Sequence, residues 1–278
     1  MTGKPVAIIT GAAGGMGRAI ARLLGHGHRL VLNDVVSESL ESLALTLREE
    51  GVLADFLAGD LAQSGVAEAL ADLVGKGGQL RAVVNAAGLS PIQADWRAII
   101  AANIIGPARL LAAMEPLLEH GTACVMIASV AGHLGPQDDA SDALLAAPLQ
   151  AGLEGLIEPR LSALAHADGG TMEGHAYSLT KRAIIRLCED RAIAWGRSGA
   201  RILSVSPGMI WTPMGRREAD RGQRAQAMVD ATPAGRWGTP MDIALTIQFL
   251  LSDSASFISG SDIRVDGAVV PAMRGAAF

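Results

Sequence analysis

Val6-Ala7-Ile8-Ile9-Thr10-Gly11-Ala12-Ala13-Gly14-Gly15-Met16-Gly17-Arg18-Ala19-Ile20-Ala21-Arg22-Leu23-Leu24 runs from a short apolar strand pattern through a glycine turn into a helical pattern. Glycine has no Cβ, so the chain can turn tightly at Gly11 and let a pyrophosphate approach its backbone near Gly15 and Gly17. The free N–H groups that open the following helix attract anions at the same place. Glycines alone occur in many ordinary turns, but the strand-turn-helix setting makes Gly11, Gly14, Gly15, Met16 and Gly17 expected contacts of a dinucleotide.

Outward from this unit the same alternation repeats. Apolar runs of strand length stand at 6–10, 30–34, 53–57, 82–85, 123–128, 202–206 and 263–265. Their hydrophobicity is continuous rather than alternating, which means burial on both faces. Helical patterns fill the intervals at 15–24, 37–50, 66–74, 96–118, 177–195 and 241–251. The prediction is an α/β fold, a Rossmann-like doubly wound, seven-stranded parallel sheet with helices on both faces. No internal repeat and no Pro- or Ser-rich linker divides residues 1–278, so one dinucleotide-binding and catalytic domain is expected. The segment 132–174 breaks the rhythm and is too long for a plain loop. Leu144, Leu145, Leu149, Leu153, Leu156, Ile157, Leu161 and Leu164 recur there at near-helical spacing, and Pro148 and Pro159 should start, kink or end helices. A helical insertion built of two short amphipathic helices is expected.

Length and composition set outer limits. A 28.6 kDa chain buries nearly three quarters of its extended surface, roughly 41,000 Å² falling to roughly 11,000 Å². The net charge is −5, and no basic run exceeds Arg216-Arg217, which leaves nucleic acid or anionic lipid no broad target. No signal-type segment precedes the first strand, and no apolar stretch reaches the roughly 20 residues a membrane span needs, so no membrane partner is expected. Cys124 and Cys188 lie in apolar stretches without metal-type spacing. They read as buried thiols in a reducing, cytoplasmic compartment. The six histidines, His26, His28, His120, His133, His166 and His175, lack metal-site spacing, and no metal is expected.

Asp34 ends the second strand pattern, seventeen residues past Gly17, where a carboxylate can accept hydrogen bonds from the adenosine ribose 2′-OH. A 2′-phosphate would meet like charge there, and Val35-Val36 supplies no neutralising arginine, so NAD is expected over NADP. The alternative is that Asp34 caps the helix opening near Ser37. Tyr177, the sole tyrosine, precedes Lys181, one of three lysines, by four residues, which places both on one helix face. Such a pairing arises by chance on the order of one time in a hundred. A nearby ammonium and a cationic nicotinamide would both stabilise a phenolate, making Tyr177 an acid/base for an alcohol oxygen.

The Thr10-Gly11-x3-Gly15-x-Gly17 loop, Tyr177-x3-Lys181 and Asn85-Ala86-Ala87-Gly88 together resemble the classical short-chain dehydrogenase/reductase family over nearly the whole chain. The resemblance implies further roles. Asp60-Leu61 looks like the family's adenine contact, Asn85, Ala86, Ala87 and Gly88 like its cofactor contacts after the fourth strand, and Asn103 like the helix asparagine of its catalytic tetrad, holding a water that links the lysine to solvent. Pro207, Gly208, Ile210 and Thr212 look like the nicotinamide-side loop, and Ser129 like the serine that hydrogen-bonds the substrate oxygen. Ser129 and Tyr177 stand 48 positions apart, a departure from the family's usual dozen or so residues. Added helices here are similar to those of some bacterial hydroxysteroid dehydrogenase/carbonyl reductases. Val130, His133, Met209, Trp211 and Met214, with Leu89 and Ile92, are expected to line a mostly apolar pocket, suited to a hydrophobic secondary alcohol or ketone that is cyclic, aryl or steroid-like. His133 or His175 would touch substrate. Arg216, Arg217, Asp220, Arg221 and Arg224 read as a solvated helix face on a substrate-covering segment. A homodimer or homotetramer is expected, with the insertion either blocking or building an interface. Rival readings are a dinucleotide-binding sensor or scaffold without catalysis, and an epimerase or dehydratase that recycles its NAD.

Overall fold

The computed structural model describes residues 4–221 and 223–275, the side chains at 221 and 223–225 excepted. Seven strands, β1 (Val6–Thr10), β2 (Arg29–Asp34), β3 (Ala54–Ala58), β4 (Leu80–Asn85), β5 (Ala123–Ile127), β6 (Arg201–Pro207) and β7 (Asp262–Val265), form one parallel sheet in the order β3-β2-β1-β4-β5-β6-β7. β1 and β5 are buried at every position, as unbroken apolar runs require. Separate apolar cores cover the two faces. Val31, Val83, Met126 and Ile202 point to one, and Leu30, Leu32, Val84 and Val125 to the other. The chain leaves β1 toward β3 on one side and returns at β4 to build outward to β7. A crevice therefore opens at the carboxyl ends of β1 and β4, where binding sites of such sheets lie. Each candidate loop follows a strand into this crevice.

The helix predicted at 96–118 runs from Trp96 to Leu117, 22 residues whose most apolar 18-residue stretch has a mean hydropathy of 1.4. It passes the length and hydropathy test of a membrane span, contrary to the sequence expectation. Arg97 and Arg109 had masked the run, and Trp96, Ile99, Ile100, Ile104, Leu110, Leu111 and Met114 bury its apolar face in the core. Its middle, Ala101–Ile105, widens into a π-helical turn. The tyrosine helix is longer than predicted. It spans Met172–Arg197, opened by the Thr171 hydroxyl, which accepts the Gly174 N–H at 3.0 Å, so Tyr177 stands more than a turn inside it.

Between β5 and that helix lie a single turn at Ala131–Leu134 and two helices, Asp139–Leu145 and Leu153–Asp168. Pro148 falls between the two, but Pro159 sits inside the second. The Gly155 carbonyl that loses its partner there is on an exposed face and open to water. Leu153, Ile157 and Leu161, four residues apart, pack into the core, whereas Leu149 and Leu156 face outward. Asp142, its side chain only 5% exposed, receives Arg182 Nε at 2.9 Å and Arg186 Nη1 at 2.8 Å, which ties this segment to the tyrosine helix. Asp142→Ala leaves Arg182 without its carboxylate and should lower stability by about 3 kcal/mol in denaturant unfolding. No change in the unfolding midpoint would mean that apolar packing alone holds the segment.

Candidate active site

A cleft of about 450 Å³ runs along the crevice. Gly11, Gly14, Gly15, Met16 and Gly17 line it from β1, Asp34 from β2, Asp60 and Leu61 from the β3 loop, Ala86, Ala87 and Gly88 from the β4 loop, and Thr212 from the β6 loop. Gly11 and Gly17 are sterically required. A Cβ on Gly11, whose φ is +63°, would fall 2.5 Å from the Ala87 nitrogen, and one on Gly17 would fall 2.2 Å from the Gly11 oxygen. Arg18 donates to the Ala13 carbonyl at 2.8 Å and braces the loop. Asp34 Oδ2 accepts the Ala13 N–H at 2.9 Å and Oδ1 the Val36 N–H at 3.2 Å. The helix Ser37–Glu49 has Val36 at its N-cap and no side-chain cap, so Asp34 is an Asx turn at the cleft wall rather than a helix cap.

Asn85 is placed differently from its expectation. It is buried beneath the cleft and accepts the Thr10 hydroxyl at 2.7 Å, locking β4 to β1 instead of lining the groove. Asn103 is also buried. From the π-helical turn its carbonyl accepts the Leu89 N–H at 2.7 Å and its amide donates to the Leu89 carbonyl at 3.0 Å. Both bonds cross to a residue fourteen positions away, so Asn103 pins the β4 loop rather than making a local backbone bond. A π turn offsets a helix face by one residue and recurs at functional sites.

A second cavity opens where the cleft meets the ends of β5 and β6. Ser129, Tyr177 and Lys181 line it with Pro207, Gly208, Met209, Ile210, Thr212 and Met214. Ser129 Oγ accepts the Ala131 N–H at 3.1 Å, which turns the hydroxyl at the end of β5. Lys181, 6% exposed, donates from Nζ to the Ile127 carbonyl at 3.0 Å, and its Nζ lies 5.8 Å from the centre of the Tyr177 ring. Burial pushes the Tyr177 phenol up to about 12, Glu218 adds to the rise, and the Ser129 hydroxyl beside it pulls down. Burial brings Lys181 down to about 8, against the raising effect of Glu218.

Three expected pocket residues are turned elsewhere. Val130 packs with Val269 and Val270 under the C-terminal helix Val269–Gly275. His133 Nε2 bonds the Asp262 carboxylate at 2.8 Å and the Ser206 hydroxyl at 3.3 Å, on the β7 side. Trp211, half exposed, stacks edge-on against Trp237 at 5.0 Å. His175 bonds Asp168 at 3.0 Å and closes the loop before the tyrosine helix. Each of these partners is a strand or loop away in sequence, so local pattern held no sign of it. Met209, Met214 and Leu89 do line the cavity; Ile92 does not.

The short chain dehydrogenase family model matches residues 5–140, and a model described as enoyl-(acyl carrier protein) reductase matches residues 160–269. A short-chain dehydrogenase/reductase of Alternaria brassicicola is 32% identical over 259 residues, covering 92% of this chain and 92% of its own. The 3-alpha-hydroxysteroid dehydrogenase/carbonyl reductase of Comamonas testosteroni is 30% identical over 281 residues, covering 98% and 99%. Among solved structures, a short-chain dehydrogenase/reductase from Brucella melitensis, described as glucose/ribitol dehydrogenase, superposes with a TM-score of 0.76 at 27% identity over 96% and 97% of the chains. The chain is a short-chain dehydrogenase/reductase.

Short-chain dehydrogenase/reductases are oxidoreductases that use a nicotinamide dinucleotide and act on small alcohols or carbonyl compounds. The residues present fit such a group. The cleft is floored by backbone that no Cβ obstructs, a helix N-terminus faces it, and a Cβ on Gly88 would press to 3.1 Å from Asn103 Oδ1 and 3.3 Å from Lys181 Nζ. Sequence reasoning missed several members of this short-chain dehydrogenase/reductase site. Arg217, read as part of a solvated face, lines the cleft, while Arg216 does lie outside, over the Trp211 ring. The side chains of Arg221 and Arg224 lie outside the described residues. Glu218 lines the inner cavity one position on from Arg217. Its place within a run of charges had hidden it, since only a helix turn decides which of them faces inward.

Proposed function

We propose that this enzyme transfers a hydride between NAD and a hydrophobic secondary alcohol or ketone. The convergence of Ser129, Tyr177 and Lys181 on one cavity at the inner end of the dinucleotide cleft carries the reading. The dinucleotide, when bound, supplies the hydride acceptor or donor. Tyr177 takes the proton from the alcohol oxygen in oxidation and returns it in reduction. Ser129 donates a hydrogen bond to that oxygen and stabilises the charge that builds on it. Lys181 brings a positive charge beside the phenol, lowering the free energy of the phenolate, and holds the nicotinamide ribose. Asn103 fixes Leu89 in the β4 loop and extends the proton route to solvent. Asp34 takes the adenosine ribose hydroxyls and excludes a 2′-phosphate.

Leu89, Met209, Ile210 and Met214 give the substrate side an apolar lining, which supports a cyclic, aryl or steroid-like body; the activity named for the Comamonas testosteroni relative agrees. A screen of such alcohols with NAD and NADP side by side, followed by nicotinamide absorbance, tests cofactor and class together. Absence of any net reduction of the nucleotide across the panel would sink the oxidoreductase reading.

The buried thiols of Cys124 and Cys188, both pushed up by burial, suit a reducing, cytoplasmic setting. Met241, Leu245 and Phe249 are each about half exposed and form a stripe at four-residue spacing on the helix Pro240–Leu251. Beside it runs the open edge of β7, which supports pairing with a second copy. The double variant Leu245→Asp, Phe249→Asp is expected to run as a monomer in light scattering. An unchanged mass would put the assembly surface elsewhere.

A further inference from the structure

The catalytic cavity holds one charged group that the hydride transfer just described does not use. Glu218 sits on the helix Pro213–Arg221, which covers the cavity, and lines that cavity together with Tyr177, Lys181, Met209 and Met214. Among the described residues it forms no ion pair. Its carboxylate faces Lys181 across the cavity and lies beside the Ser90 hydroxyl. Ser90, fully buried on the β4 loop, has a side-chain oxygen with no well-aligned hydrogen-bond partner. The carboxylate thus stands on the cavity wall near the apolar Leu89, Met209 and Met214, with the Ser90 hydroxyl beside it but outside the lining. A buried hydroxyl short of a partner is rare, because it loses water without a full replacement.

We infer that Glu218, backed by Ser90, forms a polar subsite for a second hydrogen-bond donor on the substrate, a hydroxyl or an ammonium carried on the same apolar skeleton as the reacting carbinol. The inference rests on the hydride-transfer reading of this cavity. The second donor is not itself oxidised. The reacting carbon gives up its hydride to the nucleotide and its oxygen gives up a proton to Tyr177, while the other group stays bonded to the carboxylate. A substrate carboxylate or phosphate is disfavoured, since it would face Glu218 in a site of low dielectric. A monofunctional alcohol leaves the carboxylate unmatched, and sites built for a donor reject analogues that lack one. Burial raises the Glu218 carboxyl, while Ser90 and the Lys181 ammonium lower it, as expected of a carboxylate held for a partner.

The test compares kcat/KM for cyclohexanol with the 1,2-, 1,3- and 1,4-cyclohexanediols, the corresponding aminocyclohexanols and the hydroxycyclohexanecarboxylates. At least one diol or aminocyclohexanol should exceed cyclohexanol on the order of 10-fold or more, as expected for a hydrogen bond to a charged group. The hydroxycyclohexanecarboxylates should be poorest. Whether the diol or the amine leads tells which donor the site takes. In Glu218→Leu the ratio should fall toward one, and in Ser90→Ala part of the way. Glu218→Gln, nearly the same shape, should retain preference for a hydroxyl and lose it for an ammonium. Equal use of cyclohexanol and every difunctional alcohol, or an unchanged ratio in Glu218→Leu, overturns the subsite.

Should no alcohol be turned over, the hydride-transfer reading fails, and the subsite is then judged by ligand-induced shifts in melting temperature with NADH present. Stabilisation by diols or aminocyclohexanols that disappears in Glu218→Leu supports it. No difference from cyclohexanol overturns it.

Discussion

Tyr177→Phe is expected to lower kcat on the order of 10³-fold with every alcohol the enzyme accepts, while NADH binding by fluorescence titration changes little. The variant keeps the ring, which packs against the apolar core and lies 5.8 Å from Lys181 Nζ, so the shape of the cavity survives. Only the phenolic oxygen beside Ser129 is removed. With it goes the group proposed to exchange a proton with the carbinol oxygen, and neither neighbour replaces it. The Ser129 hydroxyl is far too weak a base at neutral pH, and the Lys181 nitrogen is committed to the Ile127 carbonyl at 3.0 Å. A variant that still turned over at a tenth of the parent rate would remove Tyr177 from the chemistry.

The pH dependence follows with a definite sign. In the protein alone the phenol stands at about 12, too high to accept a proton readily at neutral pH. The positive charge of an oxidised nicotinamide beside it favours phenolate, so alcohol oxidation should rise with pH as the Tyr177 and Lys181 pair loses its proton. Glu218 raises both groups. Glu218→Gln should therefore move the rising limb of the kcat profile to lower pH, and a limb that stayed in place would mean its charge is screened from the pair.

The second large effect belongs to the other end of the cleft. The double variant Asp34→Ser, Val35→Arg is expected to reverse the nucleotide preference, raising kcat/KM for NADP relative to NAD by about 100-fold or more. The Asp34 carboxylate is at the cleft wall, held in place by the Ala13 and Val36 N–H groups. A 2′-phosphate there would put like charges within a few ångströms, in a partly buried setting where each charge-assisted contact is worth about 1.5–3 kcal/mol. The variant removes the repulsion and adds an attraction, since Val35 is well exposed and an arginine at that place can reach over the end of β2. Losing two ribose contacts should weaken NAD at the same time. Ratios measured under identical conditions that do not move would take Asp34 out of nucleotide selection.

The glycine loop, the seven strands and the Tyr177–Lys181 pair were readable because each depends on neighbours in sequence. A run such as Val6–Thr10 is apolar throughout only if both faces are covered, and residues four apart share a helix face whatever else the chain does. The ends of strands moved by two residues or fewer from their predicted positions. Helix 172–197 began earlier than predicted because Thr171 caps it, a signal hidden by the glycines at 169, 170 and 174.

What the chain's order of residues determined by itself is thus the alternation of strand and helix, the glycine turn, and the placing of Tyr177 and Lys181 on one helix face. Tertiary structure alone decided that Asn85 lies under the cleft, that Asn103 reaches Leu89 from a π turn, that His133 turns to Asp262, and that Glu218 rather than Trp211 faces the catalytic cavity. The physical reason is range. Backbone preference and hydrophobic period act over a few residues, whereas the direction of a polar side chain is set by the partner that removes it from water, and that partner can stand anywhere along the chain.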